Sequence, residues 1–216
     1  MVIANGEMSF HLGLFSELDR MMSIFSQNEF SSCLLQAKKD YFEITGMMTE
    51  EDEEFEARMN CFNEWYLFQY KNPQTDSTPF QDYVQAQTAT SPIIEALSSW
   101  RHTLFEFTKI NMRRQIILYD VLNDTKLSIP VDHEKIGVVE GDLFSGRYVT
   151  HAKKPYLMRG ICSYPQEVRS AIVKQAKIVR KLRDLEAEES FLLKLEHLKT
   201  KLLRYGHIQS SRIFVF

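Results

Sequence analysis

The densest grouping of side chains able to hold a metal or move protons is Asp132-His133-Glu134, three consecutive residues. Adjacent loop residues point in different directions, so the triplet predicts a solvated loop rather than an ion site. The other histidines, His11, His102, His151, His197 and His207, include no i, i+4 pair, and Cys33, Cys61 and Cys162 form no C-x-x-C. No metal and no other cofactor is expected. Nucleophilic chemistry lacks its marks as well: there is no G-x-S-x-G, and Ser145-Gly146 sits in a strand-like run without a placed base. The 8 glycines make neither a G-x-G-x-x-G loop nor a Walker pattern to cradle phosphate. Carboxylate pairs meet only in the fold, so acid–base catalysis stays open while no catalytic residue is named.

Basic residues give the most suggestive pattern. Lys109, Arg113, Arg114, Lys126, Arg147, Lys153, Lys154 and Arg159 fall in the turns and strands of the middle of the chain, interleaved with Phe107, Tyr148 and Tyr156. Small barrels with a basic groove and open aromatic faces bind single-stranded nucleic acid through phosphate contacts and base stacking. Those residues are therefore the candidate ligand site for a nucleic acid or an anionic ligand such as a nucleotide. The competing reading is that the charges solubilise a small sheet and pair with acidic helices. Net charge is −3, yet residues 1–100 hold 5 Lys and Arg against 16 Asp and Glu, and residues 101–216 hold 21 against 13. Such a split fits one half docking on the other, or a basic half meeting an anionic partner.

The elements that position these residues are legible from periodicity. Leu14, Leu18, Met21, Met22 and Phe25 form one helical face, and Phe30, Leu34, Ala37, Tyr41 and Ile44 another, closed at Gly46. A third helix is expected to open at Thr49, with Glu50 to Glu56 in its first turns. Its aromatic run, Phe55, Phe62, Trp65, Tyr66, Phe68 and Tyr70, predicts a central buried helix. Thr78-Pro79 and Ser91-Pro92 mark two capped helix starts. From 104 to 161 the pattern becomes short strands, with a turn at Asn123-Asp124, a strand end at Pro130 and a bulge at Gly146. From Pro165 the helical rhythm returns, as one helix of about 40 residues or as a hairpin broken near 186–190. The last six residues read as a strand pairing with the sheet or with a second copy.

The ordered series Asn63-Glu64-Trp65-Tyr66-Leu67-Phe68-Gln69-Tyr70, Thr78-Pro79-Phe80, Ser99 to Phe107, Leu118-Tyr119-Asp120-Val121-Leu122 and Glu140-Gly141-Asp142-Leu143-Phe144 resembles a group of poorly characterised bacterial cytosolic proteins. Some of those proteins carry a SEC-C-type zinc knuckle. The resemblance spans roughly residues 55–150 and implies a helical N-terminal part feeding a small β module. This chain lacks the knuckle's Cys-x-Cys or Cys/His cluster, so zinc binding does not carry over, and no catalytic residue does.

The expected fold is therefore α+β. An acidic helical block (1–103) precedes a small antiparallel β module, barrel-like or a curled sheet (104–162), and a C-terminal helix or hairpin with a terminal strand follows (163–216). No apolar run is long enough to span a bilayer and no leader is evident, so a cytoplasmic protein is expected, with its cysteines reduced. The expected role is a non-catalytic protein-interaction or regulatory adaptor, with another protein or a second copy as partner. The 3–4 spacing in 168–182 and 191–205 suggests a homodimer seam. The alternative is nucleic-acid or anionic-ligand binding through the basic β module, and no membrane partner is expected.

Overall fold

The structure, a computed structural model, describes residues 2–130 and 137–216; the Asp132-His133-Glu134 triplet lies outside the described residues. It is a mixed α+β fold. Three helices lead, α1 (Val2–Phe25), α2 (Ser31–Thr45) and α3 (Phe55–Phe68), followed by the short α4 (Pro79–Gln85) and α5 (Pro92–Leu97). Both Pro-marked starts form as their chemistry requires. At Thr78 a full capping box closes, with the Thr78 side chain accepting from Gln81 N and Gln81 returning the bond to the Thr78 amide. At Ser91 the hydroxyl accepts from Ile94 N. Thr49 does not open α3: it clasps the Asp52 carboxylate in a separate turn, and Glu50, Glu51, Glu53 and Glu54 precede the helix.

The chain then makes β1 (Arg101–Ile110), β2 (Gln115–Asp120), β3 (Thr125–Pro130), β4 (Leu143–His151) and β5 (Lys154–Tyr164). They form one antiparallel sheet in the order β3-β2-β1-β4-β5. The edge strands β3 and β5 approach within 8 Å at several Cα pairs, yet no ladder joins them, so the curled sheet is not closed into a barrel. Curling lets the sheet enclose a core of its own, Phe105, Phe107, Ile116, Leu118, Ile129, Phe144 and Leu157. Period-2 alternation sends Leu104, Leu143, Val149, Tyr156, Met158, Cys162 and Tyr164 to the opposite face, where helices cover them. Chief among these is α3, the aromatic helix, which lies along β5.

Close approach of α3 to β5 depends on Gly160. A Cβ there would stand 2.6 Å from Glu64 Oε2 and 3.0 Å from the Cys61 Cα. The ladder shifts register between Gly146 and Tyr148, giving the bulge expected at Gly146.

Beyond the sheet come α6 (Arg169–Leu182), α7 (Leu185–Arg204) and α8 (Ser210–Ile213). The two long helices form a hairpin, broken at Arg183 in the left-handed conformation (φ 53°) and restarted by the Asp184 cap. That break lies just before the 186–190 stretch where the rhythm slips. The terminal residues do not form a strand: Ser210–Ile213 is one helical turn, and Phe214 tucks against Tyr164. A side chain already buried at Ile213 and Phe214 removes the apolar edge that would have needed a ladder partner. Phe191, Leu192, Leu195 and Leu198 likewise bury in the chain's own core, so the 3–4 stripe of α7 is occupied internally by α2 and α6. The expected divisions at 103/104 and 162/163 fall inside β1 and β5, and one apolar core runs through all three blocks. Ion pairs Asp19–Arg159, Glu64–Arg147 and Glu54–Lys199 tie the acidic half to the basic half. No helix among the described residues is long and apolar enough to cross a membrane.

Candidate functional site

The basic residues singled out by sequence do not converge. Lys109, Arg113 and Arg114 are exposed at the β1–β2 turn. Lys153 and Lys154 are exposed at the β4–β5 turn. Because β1 and β4 run antiparallel, with Arg101 opposite Tyr148 and Glu106 opposite Leu143, these turns lie at opposite ends of the sheet. Arg159 is paired with Asp19 and lies over the Phe15 ring, 4.4 Å from its centroid. The aromatics offer no open faces: Phe107 is in the sheet's inner core, Tyr148 packs edge-on against Phe105, and Tyr156 is buried beside Phe10. Arg147 is 1% exposed and points away from solvent, toward α3. One residue on the side of the sheet under the helices cannot share a phosphate track with turns at its two ends.

Arg147 instead anchors a buried polar cluster. Its Nε donates to Gln69 Oε1 at 3.0 Å, and Nη2 donates to the same oxygen. Its Nη1 stands 3.7 Å from Glu64 Oε2, an ion pair too long to be a hydrogen bond, and both atoms lack a hydrogen-bond partner. Glu64 Oε1 accepts from Gly160 N at 2.7 Å. His102, opposite Arg147 in the β1–β4 ladder, presents a buried Nδ1 that is also without a partner. Burial pushes the Glu64 carboxyl up to about 7, opposed by Arg147 and by the amides of β5. Burial, reinforced by the Arg147 charge, holds His102 well below its ordinary value, so its imidazole is neutral.

Two openings reach this cluster. A cavity of about 50 Å³ touches Glu64 from the α1 side, lined also by Asp19, Asn60, Asn63 and Arg159. A larger cleft of about 380 Å³ lies on the other side, where His102 and Gln69 form part of the wall. Ser98, Ser99 and Trp100 at the end of α5, Arg101 at the start of β1, and Leu185, Glu188, Glu189 and Leu192 of α7 complete it, with Asn123 at the rim. The cleft is large enough for a small organic molecule.

Sequence reasoning found Arg147 and missed Glu64, His102 and Gln69. The signals were present: Glu64 is a carboxylate directly before the apolar run Trp65-Tyr66-Leu67-Phe68, and Gly160 is a lone glycine in a strand, a mark of close backbone approach. His102 sits where the chain turns from helix to strand and carried no spacing signature. Among the described residues no group of three or more His, Cys, Asp or Glu is placed to hold a metal ion. The cysteines are free thiols; Cys61 and Cys162 are buried, and burial pushes both thiols up, Cys162 to about 11. Comparison with protein-family models, with curated proteins and with solved structures yields no match.

Proposed function

We propose that this chain works by binding a small polar molecule in the cleft between the end of α5, the start of β1 and the start of α7, as the sensing part of a regulatory adaptor. One observation carries the reading: the wall of the cleft is backed by a buried Arg147–Glu64–Gln69–His102 cluster that the fold leaves incompletely satisfied. Buried polar atoms are almost always paired, because an unmade hydrogen bond costs about 1–3 kcal/mol. Clusters left open beside a cavity are completed by water or by a ligand. A nucleic-acid reading has less support, since the basic residues divide between two ends of the sheet and the candidate aromatics Phe107, Tyr148 and Tyr156 are packed against other rings or in the core.

Native mass spectrometry of the full chain, incubated with protein-free cell extract, tests the proposal. The expected result is a discrete small-molecule adduct on the wild type that is lost from Ser98→Trp, a substitution of an exposed residue that fills the cleft mouth. No adduct, or one retained equally by Ser98→Trp, would contradict it.

A further inference from the structure

Charge and shape inside the cleft narrow the kind of molecule it takes. Glu188 and Glu189 are half-buried on its α7 wall, and neither has an ion-pair partner among the described residues. Acids in the first turns of a helix are common because they favour its positive end. Here, however, they line a cavity together with His102, whose buried Nδ1 behind the wall has no hydrogen-bond partner. The Glu188 carboxyl is raised, first by burial and then by the Asp120 charge, with Asp184 adding and Arg101 opposing. Among the residues lining the cleft the two carboxylates outnumber the one cationic side chain, Arg101. His102 contributes no positive charge, because burial and Arg147 keep it neutral. An anion would meet two carboxylates here, whereas a cation would pair with them and relieve their repulsion. Next to the acids stand Leu185, Leu192 and Trp100, an apolar surface suited to a flat or branched hydrocarbon group.

Building on the cleft-binding reading, we infer that the ligand is a small molecule with a protonated amine beside an apolar group, its ammonium held by Glu188 and Glu189. The ammonium donates to those carboxylates, and the hydrocarbon portion lies on Leu185, Leu192 and Trp100. An additional carboxylate on the ligand would be met by Arg101.

Calorimetric titration of the full chain with four probes tests this: phenethylamine, phenylalanine, N-acetylphenethylamine and 3-phenylpropionate. Binding of phenethylamine or phenylalanine, with the amide and the acid bound at least tenfold more weakly, is the expected result. Glu188→Gln with Glu189→Gln should then weaken the amine by about tenfold to a hundredfold, the range for charge-assisted hydrogen bonds, and Ser98→Trp should block it. Binding of phenethylamine but not phenylalanine marks a simple amine; the reverse marks an amino acid recognised at both ends. Equal or tighter binding of the amide or the acid, blocked by Ser98→Trp, would overturn the amine while leaving the cleft-binding reading intact. Amine binding indifferent to Ser98→Trp would overturn it as non-specific attraction to the acidic half. No binding by any probe would also overturn it, and the extract experiment then decides separately whether the cleft binds anything.

Discussion

Among the described residues two arginine–glutamate pairs are buried, both with one member on α3, and they are built differently. Arg58 and Glu196 join α3 to α7 at 2.8 Å, and neither has a buried side-chain nitrogen or oxygen without a hydrogen-bond partner. Glu196 also accepts from the Tyr41 hydroxyl, while Arg58 Nη2 donates to the Glu196 carbonyl at 3.1 Å and to Thr200 Oγ1 at 3.0 Å. Arg147 and Glu64 join β4 to α3 at 3.7 Å, with Nη1 and Oε2 left over. The first pair lies in the helical core, and of its network Thr200 lines a pocket of about 200 Å³ beside Gly46 and Arg204; the second has Glu64 on a cavity of about 50 Å³ and its partners Gln69 and His102 on the larger cleft. A closed network fixes how α2, α3 and α7 sit together. The open one leaves Arg147 Nη1, Glu64 Oε2 and His102 Nδ1 without hydrogen-bond partners beside the wall of a cleft.

The largest effect should come from breaking the closed pair. Arg58→Ala strands Glu196 and Tyr41 in the core and should cost ~3–5 kcal/mol, read as a drop in the urea midpoint without a change in slope. Gly160→Ala comes next: the added methyl meets the Glu64 carboxyl and the α3 backbone, and overpacking of this kind costs ~1–3 kcal/mol. A loss from Gly160→Ala no larger than that of an exposed strand substitution would contradict the close packing of α3 on β5.

The open cluster predicts a distinctive pH dependence. Glu64 is raised from 4.5 to about 7 in the fold, so the folded state keeps a proton that the unfolded chain has lost. Its contribution to stability is therefore present below 4.5 and lost as pH rises to about 7, on the order of 3 kcal/mol. His102, lowered from 6.5, acts in the opposite sense: its contribution is present above 6.5 and lost as pH falls through its folded value. Thermal unfolding across pH 5–8 should show Glu64→Gln gaining relative stability as pH rises, and His102→Asn gaining as pH falls. Parallel pH curves for wild type and both variants would remove the assigned protonation states. The smallest effect is local: Thr78→Ala opens the capping box of α4 and should cost ~1 kcal/mol, with the cleft unaffected.

Much of the architecture was legible because helix caps and periodicity act locally. Thr78 and Ser91 fixed two helix starts by side-chain chemistry alone, and the aromatic face of Phe62, Trp65 and Tyr66 required burial somewhere. The sheet's curl and the bulge at Gly146 followed from short strands and one glycine. The terminal strand was misread because Ile213 and Phe214 are apolar in either conformation, and only the tertiary slot beside Tyr164 chooses helix and turn. The site was harder still. Arg147 belongs by composition to a basic, aromatic-rich segment, and strand alternation alone does not say which face is covered; α3 decides that. Glu64, Gln69 and His102 come together only when α3 lies on β5 and β4 pairs β1, contacts that no spacing along the chain encodes.

The comparison between the two pairs is tested most directly by replacing the open pair whole. Glu64→Gln retains the acceptor for Gly160 N, and Arg147→Met fills the guanidinium's space with an apolar chain. Urea unfolding at pH 7 of the double variant should give a stability within about 1 kcal/mol of wild type, since exchanging a poorly satisfied buried pair for neutral side chains is often neutral. A loss as large as that of Arg58→Ala would show that the Arg147–Glu64 pair is a structural tie like its counterpart, and the case for a reserved binding site would fall.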